Sequence, residues 1–148
     1  MEDDPNTSPG TETVHASKPT IVGLYGISGT GKTFLLNDLR NLKETLGISN
    51  FFFYEGSQVI VDVCPGGLEE FQQMEDQDKA YWRQCAISRI HDDCTKSRRA
   101  SVVAGHFMFW REGEDYGQLV CTPSDLDVYT HILYLDIPRR EDCPKPGR

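Results

Sequence analysis

Apolar and polar positions follow two rhythms along this chain. Thr20-Ile21-Val22-Gly23-Leu24-Tyr25 is a short β-branched apolar run that stops at a glycine, which predicts a strand buried in a parallel sheet. Beyond a glycine-rich stretch, Leu35, Leu39, Leu42 and Leu46 recur at intervals of four, three and four. That spacing predicts one apolar face of a helix, and Gly47 can end it. Phe51-Phe52-Phe53-Tyr54 predicts a second strand. After the turn Pro65-Gly66-Gly67, the segment from Glu69 to Ser97 reads as mostly helical, with Trp82, Ala86 and Ile90 on one stripe. Ser101 to Ala104 predicts a third strand, ended by Gly105, and His131 to Asp136 a fourth, ended before Pro138. Between them, Thr122-Pro123-Ser124-Asp125 spells a helix start: a hydroxyl N-cap, proline at the first helical position and an acid in the first turn.

Strands that alternate with helices need right-handed crossovers, so the expected fold is α/β: a three-layer sandwich with a parallel sheet covered on both faces. The 148 residues fit one domain. Residues 1–18 are rich in Asp, Glu, Thr, Ser and Pro and are expected to be a disordered arm, without a signal peptide or spanning helix. Residues 139–148 hold two prolines and a glycine near their end and are expected to be an irregular tail. Residues 19–138 remain for the domain.

The net charge of −8, from 15 Lys+Arg against 23 Asp+Glu, argues against nucleic acid and anionic membrane surfaces as partners. Five cysteines, odd in number and without a CxxC pair, fit a reducing compartment, so a cytoplasmic location is expected.

The chemistry lies in Gly26-Ile27-Ser28-Gly29-Thr30-Gly31-Lys32-Thr33, which satisfies G-x-x-x-x-G-K-[ST]. The glycines permit positive φ and keep side chains away, so that backbone N–H groups of Gly26, Ser28, Gly29, Thr30 and Gly31 can turn toward phosphate oxygens. The following helix adds the partial positive charge of its N-terminus. Lys32 has the reach for the β- and γ-phosphates of ATP, and the Thr33 hydroxyl is placed for Mg²⁺.

On this motif the chain resembles the P-loop kinases, the superfamily of adenylate, shikimate and gluconate kinases, over about Pro19 to Pro138. Gly23-Leu24-Tyr25-Gly26, Phe53-Tyr54-Glu55-Gly56-Ser57, Trp82-Arg83-Gln84 and Val103-Ala104-Gly105-His106-Phe107 further resemble a fungal group in which such a domain precedes HAD-like and uracil-phosphoribosyltransferase-like segments. The resemblance implies ATP and Mg²⁺ as cofactors and a small-molecule acceptor, with a nucleoside or nucleotide suggested by an ancestry near nucleotide salvage. It implies strand order 2-3-1-4, with the family's fifth strand missing here.

In these kinases the acceptor lies near the end of the second strand, which points to Glu55 as the group that orients an acceptor hydroxyl or takes its proton. Asp62 is a weaker version of the same idea. The third strand ends without an acid, leaving His106 as a possible partner of phosphate or acceptor. Asp136, at the end of the fourth strand, is the acid available to magnesium, although the same pattern in the family is chiefly structural. Arg139 and Arg140 stand where an arginine-bearing lid would begin, and eight residues follow them. The chain is therefore expected to be truncated. Two readings stay open: an ATP-dependent phosphotransferase, or a nucleotide-binding protein without efficient transfer.

Overall fold

The computed structural model describes residues 17–26, 29–105, 108–109, 118–119 and 121–136. The expected arm, apart from its last two residues, and the expected tail lie outside these. In chain order the elements are β1 (Ile21–Tyr25), α1 (Lys32–Thr45), β2 (Phe51–Glu55), α2 (Gly56–Val63), α3 (Gly67–Gln73), α4 (Asp76–Ser97), β3 (Ala100–Ala104), β4 (Met108–Phe109), β5 (Gln118–Leu119), α5 (Pro123–Val128) and β6 (His131–Tyr134).

Four strands form one parallel sheet in the order β2-β3-β1-β6, the expected 2-3-1-4. Its register places Glu55 beside Ala104, Leu24 beside Ala104 and Tyr25 beside Tyr134, so the carboxyl ends of all four strands share one edge. β4 and β5 pair as a separate antiparallel hairpin that the sequence pattern did not announce.

Two cores explain the layers. On one face Ile21 and Val103 meet Val59 of α2 and Ala86, Ile87, Ile90 and Cys94 of α4, with Val128 and Tyr129 packed alongside. On the other, Leu24 and Ala104 meet Leu36 of α1, supported by Leu35, Phe53, Val102 and Leu135. The alternation of side chains along β1 and β3 sends neighbours to opposite faces and so demands both covers.

Local structure corrects one expectation and adds detail at two other places. The leucine stripe on α1 is displaced: Leu36 is fully buried, whereas Leu42 is 52 % and Leu46 60 % exposed. The inner face instead runs through Lys32, Leu36, Arg40 and Lys43, and its last two members donate to the Phe53 and Phe51 carbonyls at 3.3 and 2.8 Å. Polar contacts with the strand backbone outweigh leucine spacing there. The long helical segment is interrupted, because Met74 and Glu75 are extended and Glu75 N-caps a new helix with Asp76 and Asp78 in its first turn. Finally, Gly56 to Val63 is helical although rich in β-branched residues; burial of Val59 overrides a weak propensity.

The start of α5 is as the sequence spells it. Asp125 N–H donates to Thr122 Oγ1 at 3.3 Å, and Thr122 N–H donates to Asp125 Oδ2 at 2.7 Å, a complete capping box.

The displaced stripe makes a direct expectation. Leu36→Ala should cost about 2–5 kcal/mol through loss of burial and a cavity, while Leu42→Ala should fall within about 0.5 kcal/mol of the parent. Urea unfolding midpoints for the two variants check this, and equal losses would reinstate the leucine stripe.

Candidate active site

The glycine loop leaves β1 at the middle of the sheet's carboxyl edge. Gly26 turns where space is tightest: a Cβ there would lie 2.7 Å from Thr30 Oγ1 and 2.9 Å from the Leu135 carbonyl oxygen. Gly29 and Gly31 have φ of 81° and 89°, a region L-residues rarely enter, and Gly31 N-caps α1. A helix leaves its first N–H groups without internal acceptors, and here those groups adjoin the loop. Ile27 and Ser28 lie outside the described residues.

Lys32 opens α1 and is only 8 % exposed. Its ammonium donates to the Gly26 carbonyl at 2.6 Å, bending the lysine back across the loop. Burial pulls its pKa below the ordinary lysine value, and the charge of Glu55 opposes that pull.

From this loop a cleft of about 530 Å³ runs along the strand ends toward α4 and α5. Gly29, Gly31, Lys32 and Thr33 line it together with Glu55, Arg83, Asp125, Tyr25 and Tyr129. Ile60, Ile87 and Ile90 supply apolar wall. Glu55 reaches this position because α2 begins immediately after β2: a Cβ on Gly56 would be 2.9 Å from the Ala104 carbonyl oxygen, so only glycine lets the helix start against β3. The Glu55 side chain does not cap α2, and its Oε1 is buried without a hydrogen-bond partner among the described residues.

The structure thus gathers Gly29, Gly31, Lys32, Thr33 and Glu55 in one cleft, with Gly26 and Thr30 shaping the loop behind them. Asp62 lies on a smaller groove across Glu55, where its Oδ1 accepts from Gln58 Nε2 at 3.3 Å. Asp136 is exposed beyond β6 and does not line the cleft. His106 lies outside the described residues, as do Arg139 and Arg140. Among the described residues no three His, Cys, Asp or Glu side chains gather as a metal site, and no helix is long and apolar enough to cross a membrane.

Sequence reasoning missed the roles of Arg83, Asp125, Tyr25 and Tyr129 as cleft-lining residues. Arg83 sits one helical turn before Ala86 and Ile87, so a cation interrupts the buried stripe of α4. That was the available signal. Asp125 was read as a helix-cap acid, which it is, but it is also buried on the cleft. Tyr25 donates to Cys121 Sγ at 3.9 Å and meets Tyr129 edge-on at 5.8 Å between ring centroids. Burial raises both phenols' pKa values, so these hydroxyls stay protonated at neutral pH.

Burial also pushes the Asp125 carboxyl above its ordinary value of 3.8, against the pull of the Thr122 bonds and of Arg83. A raised folded-state pKa means that the folded chain holds this proton more tightly than the unfolded chain. The associated stability is present at acid pH and lost as pH rises through the folded value. Asp125→Asn keeps an oxygen for the Thr122 N–H and should remove this decline. Unfolding midpoints of parent and variant between about pH 4 and about pH 7 test it; parallel curves would count against the assignment.

Among curated proteins none matches this chain. A family model described as an AAA domain matches residues 25–143, from the last residue of β1 across the loop, the cleft and β6. The glycine loop, the 2-3-1-4 parallel sheet and this match agree, and the chain belongs to that AAA-domain family, a P-loop kinase-like family.

Proposed function

We propose that the protein is a kinase-type phosphotransferase that binds a magnesium nucleoside triphosphate, ATP in the simplest case, at the Gly26–Thr33 loop and passes its γ-phosphoryl group to the hydroxyl of a small acceptor in the same cleft. One observation supports this reading: Glu55 lines the same cleft as Lys32 and Thr33, and one of its carboxylate oxygens is buried without a hydrogen-bond partner among the described residues. An orphaned acceptor costs free energy unless a donor arrives, and an acceptor hydroxyl is such a donor.

Each residue then has a task. Lys32 exchanges the Gly26 carbonyl for phosphate oxygens and offsets the charge spread over the transferring group. The loop and the start of α1 supply N–H groups to the remaining phosphates. Glu55 orients the acceptor hydroxyl and takes its proton as the new O–P bond forms and the bond to the β-phosphate oxygen breaks. The donor set, a threonine hydroxyl on the cleft beside carboxylate oxygen, suits the hard-oxygen preference of magnesium. Thr33 would hold the ion, which when bound neutralises phosphate charge. Resemblance to a fungal group with uracil-phosphoribosyltransferase-like segments favours a nucleoside or nucleotide as acceptor.

Mg·ATP should stabilise the folded chain by about 2.7 kcal/mol at a hundred times its dissociation constant, and Lys32→Ala should abolish most of that shift. Glu55→Gln should retain the shift and lose about 10²- to 10⁴-fold in transfer rate. Thermal melts with ATP and a coupled assay across nucleosides, nucleoside monophosphates and sugar acids read the two effects separately. An unmoved melting temperature refutes nucleotide binding, and parent-like transfer by Glu55→Gln refutes its role as proton acceptor.

A further inference from the structure

β6 is the barest strand of the parallel sheet. Ile132, Leu133 and Tyr134 are 46, 55 and 57 % exposed, and no strand lies on its outward side among the described residues. Both of its faces are open. Leu133 sits beside Leu24, on the face that α1 covers, where Leu42 and Leu46 are also exposed. Ile132 and Tyr134 sit beside Gly23 and Tyr25, on the opposite face with Ile21 and the α4 core. The far edge of the sheet is different: Lys43 and Arg40 of α1 donate to the Phe51 and Phe53 carbonyls of β2 and close it. Each copy of the chain thus has one open edge on this sheet, and that edge is apolar.

We propose that this edge is the interface for a second copy of the chain, with the two β6 strands pairing antiparallel about a twofold axis at Leu133. The inference is independent of the phosphotransferase reading. An axis normal to the sheet keeps each face on its own side, so residues of the same face meet. Centred on Leu133, the pairing sets Leu133 against its counterpart and Ile132 against Tyr134, apolar against apolar at every exposed apolar position of the strand. Charge favours the same partner and register. A chain of net charge −8 repels its own copies over most of its surface, but His131-Ile132-Leu133-Tyr134 holds no acid. Asp136, the next acid along, falls opposite Thr130 rather than opposite its counterpart. Together with Leu42 and Leu46, the three strand residues expose on the order of 500 Å², the upper range for a monomer and over half of the roughly 800 Å² that each partner gives a standard interface. Pairing uses up the open edge of both copies, so the assembly closes at two.

Sedimentation velocity of the full chain between about 1 μM and about 1 mM should show monomer and dimer in exchange. Leu133→Lys sets two cations against each other at the axis and should weaken the dimer at least about tenfold. Tyr81→Lys, at a comparably exposed position on α4, should leave it unchanged. Urea unfolding midpoints at the lowest concentration show that both variants are folded. Leu133→Cys should give a disulfide-linked dimer on mild oxidation, because directly opposed residues lie about 4.5–5.5 Å apart, within reach of a disulfide. His131→Cys should give no more than the parent, since in this register its two copies are offset by four residues, about 13 Å along the strands. A chain that stays monomeric throughout overturns the proposal and leaves the edge to a different polypeptide. So do assemblies that grow past two, a dimer that survives Leu133→Lys or is lost in Tyr81→Lys, and cross-linking of His131→Cys equal to that of Leu133→Cys.

Discussion

A lysine ammonium held at 8 % exposure must be given oxygen, and much of this fold's active edge follows from how that is done. The Gly26 carbonyl supplies it at 2.6 Å, which is possible only because the chain turns back on itself between Gly26 and Lys32. That turn in turn depends on a residue without Cβ packed under the Leu135 carbonyl and on two glycines with positive φ. β1 therefore has to end between β3 and β6, where Gly105 N–H and Leu135 N–H both donate to its last carbonyls, at 3.0 and 2.7 Å. The loop is stretched between two pinned points, the end of β1 and the head of α1. Its lysine, bonded to backbone oxygen, is held close to where phosphate oxygen would replace it.

Legibility in the sequence follows which interactions are local. The motif, the four strands of the parallel sheet and the capping box at Thr122 depend on neighbours a few residues away, and all could be read directly. The order of the sheet was available only through resemblance, since nothing in β6 itself says that it lies beside β1. Leu35 does pack against the core, but Leu42 and Leu46 misled because helix spacing shows a face without saying what covers it. The helix turned instead toward β2, where Arg40 and Lys43 found carbonyls. Arg83 was overlooked for the converse reason. It occupies the buried stripe that runs on through Ala86, Ile90 and Cys94, and its meaning depends on Phe71 and Asp125, which come from other elements.

The charges of the cleft are arranged so that no acid closes directly on either cation among the described residues. Glu55 favours the charged form of Lys32 yet leaves its own Oε1 without a bond, and Asp125 favours charged Arg83 while its oxygen is taken by the helix cap. Closed ion pairs would have satisfied the four groups and left little for a ligand to gain. Separated but interacting charges favour the ionised form of each cation without a direct salt bridge from either acid among the described residues.

The two edges of the sheet complete that contrast between satisfied and available groups. On β2 the outward carbonyls of Phe51 and Phe53 accept from Lys43 and Arg40, so α1 covers the edge with cations and discourages further strand pairing. On β6 the inward side is fixed twice over at its start: Thr130 Oγ1 accepts from Ile21 N–H and donates to the Ile21 carbonyl, both at 3.0 Å. Its outward side has no neighbouring strand among the described residues, and Ile132, Leu133 and Tyr134 are exposed. The cleft does not depend on that outer side, because Tyr25, Asp125 and Tyr129, which line it, are held by β1, by the cap of α5 and by the Tyr25–Tyr129 contact. The half of the sheet from β2 to β1 is the half that positions Lys32, Glu55 and Arg83, and it is also the half whose edge is closed.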